Sequence, residues 1–232
     1  MDRKVYSILR KYYSDEELGE LFLEHSLEKN ESPLHKLLPY DCLDGHVHKF
    51  TNCVYYDINR AHADALCEIF PKARKQILAL DKLYINIFVG DLCNQGHRPT
   101  FNWIVKRTRE LLLDVIDKAN GLCIYINTDG VIIHNPTTLL ETSDEIGGIK
   151  SESVDGVVYG YHCKRSDDAT QYTLYQYVHP TKGVQKKGNA RLSIRKNIDL
   201  SQGLIAKGKI VQEGNEEVIK NFRIERVPID EE

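Results

Sequence analysis

Apolar residues recur at helical spacing over much of the first half of this 232-residue chain. Between residues 5 and 12 they share one helical face, and Ser14 with Glu17 forms a capping-box signature that predicts the start of a second helix. The same spacing predicts further helices over residues 61–70, 71–80, 81–92 and 100–120.

Short runs of apolar and β-branched residues predict strands in the remaining sequence. A run over residues 122–126 is interrupted by the turn residues at 127–130 and resumes at Val131, and two runs joined by Asp-Gly strongly favour a β-hairpin. Another run over residues 53–58 has the same form and carries Asp57 near its end. More strands are predicted over residues 148–152, 157–163, 171–178, 204–211 and 218–227.

We therefore expect an α+β fold in which an antiparallel sheet is backed by helices. N-terminal helices should precede the sheet and a C-terminal β-hairpin should follow it. The strands predicted over residues 148–178 should extend this same sheet.

Two of these strands each end on a carboxylate, Asp57 and Asp129. If both acids reach one edge of the sheet, their oxygens suit a pair of hard divalent cations, which keep open positions for substrate phosphates. Two such ions ~3.5–4 Å apart clamp the attacking and leaving oxygens of a phosphoryl transfer. Either acid alone is more typical of a plain turn residue.

Three short motifs occur in a fixed order. Residues 57–64 read Asp-Ile-Asn-Arg-Ala-His-Ala-Asp, residues 82–90 carry Lys, Asn and Gly at i, i+4 and i+8, and residues 125–129 read Tyr-Ile-Asn-Thr-Asp. In this order they resemble motifs A, B and C of the palm of family B DNA polymerases, particularly the small phage and protein-primed kind. Residues 148–152 and 186–188 resemble the palm strand and the basic DNA-contacting motif that follow motif C.

The resemblance implies a catalytic pair and a nucleotide site. Asp57 and Asp129 would be catalytic and, with the carbonyl oxygen of Ile58, would bind two Mg²⁺ ions, with Mn²⁺ as an alternative. The residues it assigns to nucleotide binding are Arg60, Ala61, His62, Lys82 and Asn86.

The resemblance also implies macromolecular partners. Thr128 would lie near the primer end, and Lys186 and Lys187 would contact the backbone of primer–template DNA. Nucleoside triphosphates would be the substrates, and replication proteins are candidate partner subunits.

The chain departs from the family pattern at several positions. His62 replaces the tyrosine that excludes a 2′-hydroxyl in the family, so the sugar preference is open. Asn127 replaces the first aspartate of motif C, and Asp64 replaces a small residue. Only about twenty-five residues separate Asp57 from Lys82, where the family has a long fingers hairpin.

Composition and charge narrow the setting. The net charge of −3 does not suit a protein that grips DNA by bulk electrostatics, although basic residues cluster locally. The six cysteines are scattered and favour reduced thiols in the cytoplasm, the host's cytoplasm if the chain is phage-encoded. No apolar run reaches transmembrane length, so no membrane partner is expected.

A second candidate metal site consists of Cys42, His46, His48 and Cys53. These residue types suit tetrahedral zinc, but their spacing follows none of the common zinc patterns. A plain β-hairpin ahead of the palm is the preferred interpretation.

The sequence thus predicts a DNA-directed nucleotidyltransferase that adds nucleotides to a 3′-hydroxyl. We expect an N-terminal helical segment (1–50), a palm (51–192) with a short fingers insertion (about 60–95), and a C-terminal β extension (193–232). Without exonuclease or thumb regions, low processivity or dependence on partner subunits is expected. The alternatives are a weakly active or inactive palm remnant that binds DNA or replication proteins, and a primase-like polymerase that accepts ribonucleotides.

Overall fold

A computed structural model describes eight segments of the chain. They are residues 3–28, 46–94, 96–154, 158–162, 175–179, 183–187, 202–213 and 216–231.

Six α-helices occur in the described residues up to Ala119. They are α1 (Arg3–Leu9), α2 (Asp15–Glu24), α3 (Ala61–Ile69), α4 (Arg74–Leu78), α5 (Lys82–Asn94) and α6 (Arg98–Ala119). The predicted capping box is present, since Ser14 accepts from the amide of Glu17 and the Glu17 carboxylate accepts from the amide of Ser14. The long helix α6 ends where Asn120 adopts a left-handed conformation (φ 48°), a common helix stop.

Eleven strands complete the described structure. They are β1 (Val47–Phe50), β2 (Cys53–Ile58), β3 (Leu122–Asn127), β4 (Gly130–His134), β5 (Ile149–Val154), β6 (Val158–His162), β7 (Tyr175–His179), β8 (Gly183–Lys187), β9 (Leu204–Glu213), β10 (Glu216–Arg226) and β11 (Ile229–Glu231).

A four-stranded antiparallel sheet in the order β3-β4-β2-β5 carries the acids of interest. Alternate residues of β2 point to opposite faces, so Val54, Tyr56 and Ile58 pack with Leu112 and Val115 of α6. The other face of the sheet also carries apolar side chains, where Phe50 packs with Cys53, Tyr55 and Ile132. The sheet backed by helices confirms the predicted α+β class.

The helices α1 to α5 and the first turns of α6 form a separate apolar cluster. Leu9 of α1, Phe22 of α2, Phe70, Phe88 of α5 and Ile104 of α6 all lie in it. The N-terminal helices therefore share a core with the segment predicted to be the fingers.

The later strands correct one expectation. β5 joins the sheet of β2, but β6 and β7 belong to a five-stranded sheet in the order β11-β1-β6-β7-β8. The predicted extension of a single sheet is therefore wrong for the described residues of these two segments, 158–162 and 175–178. Local strand propensity shows that a strand forms, whereas its partner depends on which sheet edge the fold leaves available.

The hairpin expected ahead of the palm is also wrong. β1 lies between β11, with which it is parallel, and β6, with which it is antiparallel, so both its edges are taken. Asn52 between β1 and β2 adopts a left-handed conformation (φ 48°), which sends the chain from one sheet into the other.

The predicted C-terminal hairpin is present. β9 and β10 pair in antiparallel register from Leu204 and Arg226 to Glu213 and Glu216, with one irregularity near Arg223. In the described part of the chain, no helix is both long and apolar enough to cross a membrane.

Candidate active site

Strand register brings Asp57, near the end of β2, beside Asp129 in the β3–β4 turn. This end of the four-stranded sheet is called the Asp57–Asp129 edge below. Asp57 of β2 pairs with Gly130 of β4, the residue that follows Asp129 in the hairpin turn. The amide of Ile58 donates a hydrogen bond of 2.7 Å to the carbonyl oxygen of Asp129, which ties the turn to the end of β2. The two acids come from segments more than seventy residues apart in sequence, and the sheet makes them neighbours.

Tyr55 lies beside this pair and was not singled out by the sequence. Its hydroxyl donates to Asp57 Oδ1 at 3.1 Å, and its side chain is buried. Burial raises the pKa of the Tyr55 hydroxyl, and the charge of Asp57, its hydrogen bond and the charge of Asp129 raise it further. The Tyr55 hydroxyl therefore contacts Asp57 directly and also lies within electrostatic range of Asp129.

Helix α5 contributes a cation to the same edge. Lys82 Nζ lies 3.7 Å from Asp129 Oδ2, with the lysine side chain 59% exposed and the aspartate side chain 23% exposed. In such a half-exposed setting the ion pair adds little stability. The ion pair matters for the site because it places Lys82, the first residue of α5, next to the β3–β4 turn.

A shallow cleft opens between the start of α3, the start of α5 and Asp129. Its lining contains every residue predicted to bind nucleotide: Arg60, Ala61, His62, Lys82 and Asn86. Within the cleft, His62 Nδ1 lies 3.1 Å from Asn86 Oδ1, so these two exposed side chains are joined by a hydrogen bond.

The side chain of Arg60 has a structural task. Its guanidinium donates to the carbonyl oxygens of Leu78 at 2.8 Å and Leu80 at 2.7 Å, and so caps the end of α4. Its backbone is left-handed (φ 54°) at the N-cap of α3. The first amides of α3 therefore follow a tight turn after β2, the type of helix start that binds anions.

Asn59 connects the first motif to the loop before β5. The Asn59 side chain donates to the carbonyl oxygens of Asp144 and Glu145, and the Asn59 backbone exchanges hydrogen bonds with Gly147 and Gly148. No local pattern at Asn59 signals these contacts, since all four partners lie more than eighty residues away.

The position of Asp64 explains its presence in place of a small residue. A Cβ atom at Gly147, where φ is +77°, would lie 2.8 Å from Asp64 Cγ, so the carboxyl fills the space beside this glycine. Burial raises the pKa of Asp64, while the charges of Arg107 and Arg74 partly oppose that shift.

The remaining predicted nucleic-acid contacts are spread over different parts of the fold. Thr128 is exposed in the β3–β4 turn and has a positive φ of 27°. Lys186 and Lys187 lie in β8, paired with Gln176 and Tyr175 of the five-stranded sheet, and their side chains fall outside the described part.

The candidate zinc residues that the structure describes lie in two different places. His46 Nδ1 lies 2.7 Å and His48 Nε2 lies 4.0 Å from Asp230 Oδ2, whereas Cys53 Sγ lies 3.9 Å from His134 Nδ1. Burial raises the pKa of the Cys53 thiol to about 12. Cys42 lies outside the described residues.

The Asp57–Asp129 edge offers oxygen atoms as possible metal ligands. The two carboxylates and the Ile58 carbonyl fit Mg²⁺, which binds through few protein oxygens and retains water and phosphate ligands. Among the described residues, no group of three or more His, Cys, Asp or Glu side chains is arranged to hold a metal ion.

Comparison with known proteins returns no matching family model and no significant match among curated proteins.

Proposed function

We propose that this protein is a nucleotidyltransferase built on a reduced polymerase palm. The observation that carries the proposal is the pairing of Asp57 with Gly130, which gathers Asp57 and Asp129 at a sheet edge that faces Lys82 of α5. The order of the three motifs supports the same proposal, as does the cleft that contains the predicted nucleotide residues.

In this proposal Asp57, Asp129 and the carbonyl oxygen of Ile58 hold two Mg²⁺ ions. When bound, these ions lower the charge on the reacting phosphate and stabilise the attacking and leaving oxygens. The chain itself contributes a rigid edge, because Asp57 lies in a strand hydrogen bonded on both sides and Asp129 is tied to Ile58. A primer 3′-hydroxyl attacks the α-phosphorus of a nucleoside triphosphate, and the bond to the β-phosphate breaks to release pyrophosphate.

The triphosphate lies in the cleft between α3 and α5. Lys82 supplies a positive charge to the cleft, and the amides of Ala61 and His62 at the start of α3 supply hydrogen-bond donors. Phosphoryl transfer depends mainly on positioning and charge stabilisation, so these groups orient the phosphates without covalent chemistry. Asn86, one turn after Lys82, borders the space left for the nucleoside.

Primer–template DNA is the proposed partner. Thr128 at the exposed turn is the proposed contact near the primer end, and Lys186 and Lys187 are proposed contacts to the backbone. The short α4 and α5 offer little surface to enclose a duplex, so we propose low processivity or reliance on a replication partner subunit. We propose a cytoplasmic setting, because the scattered cysteines of the sequence favour reduced thiols.

A single-nucleotide incorporation assay tests this proposal. Wild-type protein, Asp57→Ala, Asp129→Ala and the surface control Asp114→Ala are compared on a labelled primer–template with Mg²⁺ or Mn²⁺. We expect incorporation by wild type and by the control, and its loss in both site variants. Equal activity of all four proteins would trace the signal to a contaminant and overturn the proposal.

The contact between His62 and Asn86 favours one alternative, a primase-like activity that accepts ribonucleotides. A histidine held by Asn86 leaves a different space near the sugar than the larger tyrosine of the family. The same assay with ribonucleotides, and without template, separates this activity from DNA synthesis. DNA binding with no incorporation of any nucleotide would instead support the non-enzymatic palm remnant.

A further inference from the structure

Tyr55 occupies a special place at the proposed cation site. It precedes Asp57 by two residues in β2, so both side chains lie on the same face of the sheet. The Tyr55 side chain is only 7% exposed, and its hydroxyl donates to Asp57 Oδ1 at 3.1 Å. This contact fixes the direction of one carboxylate oxygen before any ligand arrives.

The position of the Tyr55 ring depends on the residue across the sheet. A Cβ atom at Gly130 would clash with the Tyr55 hydroxyl oxygen and lie 2.8 Å from two carbons of its ring. Gly130 pairs with Asp57 and directly follows Asp129. The phenol therefore fills the space between the strand acid and the hairpin turn, and only glycine at position 130 leaves room for it.

Two carboxylates at one edge repel each other, and a neutral hydrogen-bond donor beside them relieves part of that repulsion. The Tyr55 hydroxyl fills this role, because it donates to Asp57 Oδ1 from the same face of the sheet.

We propose that Tyr55 is a positioning residue for the cation site: its hydroxyl orients the Asp57 carboxylate toward the ion it shares with Asp129. This inference rests on the proposed function, because it concerns the same two acids. Residues that orient a metal ligand through a hydrogen bond typically change metal affinity about 10–100-fold when removed.

Mn²⁺ binding by calorimetry tests the role of Tyr55 without relying on turnover. Tyr55→Phe removes only the hydroxyl, and Tyr56→Phe makes the same change at the next residue, whose side chain packs on the opposite face against α6. We expect Tyr55→Phe to weaken Mn²⁺ binding about 10-fold or more and Tyr56→Phe to leave it unchanged. In the incorporation assay, Tyr55→Phe should raise the Mg²⁺ concentration needed for half-maximal rate more than it lowers the maximal rate.

Gly130→Ala provides a second route to the same hydrogen bond, because the added methyl group must displace the phenol. Its effect and that of Tyr55→Phe should be less than additive in the double variant, since both remove one contact. Circular dichroism verifies that each variant is folded.

The outcomes separate the inference from the proposed function. Wild-type protein that binds Mn²⁺ and incorporates nucleotide, with Tyr55→Phe equal to it in both assays, would overturn the role of Tyr55 and leave the proposed function standing. Wild-type protein that neither binds Mn²⁺ nor incorporates nucleotide would overturn both.

Discussion

Lys82 and Asp129 form a contact of 3.7 Å between the first residue of α5 and the β3–β4 turn. The pair connects the helical cluster to the four-stranded sheet at the mouth of the cleft. A lysine in this position does two things in the proposed site: it partly neutralises Asp129 when no cation is bound, and it offers its charge to phosphates when one is. Lys82 and a metal ion bound at Asp129 therefore compete for the same carboxylate.

Lys82→Met should lower the rate of nucleotide incorporation by roughly 10²-fold, because removing one preorganised charge from a transferring phosphate has an effect of this order. Mn²⁺ should bind to this variant at least as tightly as to wild type, since a competing positive charge is removed. Steady-state kinetics and calorimetry measure the two effects.

Lys118→Met is the matched control for this change. Lys118 also pairs with an aspartate, Asp114, at 2.6 Å, and its side chain is 61% exposed, close to the value for Lys82. Wild-type behaviour is expected. A rate loss as large in Lys118→Met as in Lys82→Met would refute a specific role for Lys82.

Asn59→Ala should weaken the attachment of the loop before β5 to the end of β2, while the two backbone hydrogen bonds of residue 59 remain. The variant loses two side-chain hydrogen bonds to the carbonyl oxygens of Asp144 and Glu145, at 2.7 and 3.0 Å. At about 0.5–1.5 kcal/mol for each hydrogen bond, the free energy of unfolding should fall by about 1–3 kcal/mol. Urea denaturation measures the loss, and hydrogen exchange should show faster exchange at Gly147 and Gly148. Asn94→Ala, at an exposed helix end, should change neither.

Tyr56→Phe should stabilise the protein. Among the described residues, the buried Tyr56 hydroxyl finds no hydrogen-bond partner, and an unsatisfied buried polar group costs about 1–3 kcal/mol. Removing it should raise the free energy of unfolding by about 1 kcal/mol.

Tyr13→Phe is the opposite case. The Tyr13 hydroxyl accepts a hydrogen bond of 2.8 Å from the amide of Lys72, so its removal should lower the free energy of unfolding by about 1 kcal/mol. Chemical denaturation of both variants provides the comparison. A loss of stability in Tyr56→Phe as large as that in Tyr13→Phe would contradict the assignment of an unpaired hydroxyl.

Asp64→Asn should change how stability depends on pH. Burial raises the folded-state pKa of Asp64 above its unfolded value, so the folded state binds more protons just above the ordinary aspartate pKa of 3.8. The contribution of Asp64 to stability is therefore present below that pKa and is lost as pH rises through the folded-state pKa.

The difference in unfolding free energy between Asp64→Asn and wild type isolates this contribution. It should shift in favour of the variant as pH rises from 4 toward 7 and then stay constant. Asp114→Asn, at an exposed aspartate on α6, serves as the control. A difference that shifts in favour of wild type over the same range would show that the paired charges of Arg107 and Arg74 outweigh burial.

The sequence determined which elements form, because the signals for them are local. Helical spacing predicted α6, the Ser14–Glu17 pair predicted the start of α2, and the Asp-Gly turn predicted the β3–β4 hairpin. Each of these depends on residues a few positions apart, which interact whatever the rest of the chain does.

The tertiary structure alone decided which strands are neighbours and which side chains meet. β1, β6 and β7 read as ordinary strands, but their pairing depends on sheet edges that are built from distant segments. The contacts of Asn59 with Asp144 and Glu145, and of Asp64 with Gly147, span eighty or more residues. Local propensity carries no information on such separations, since only the register of packed strands sets which side chains face each other across a sheet.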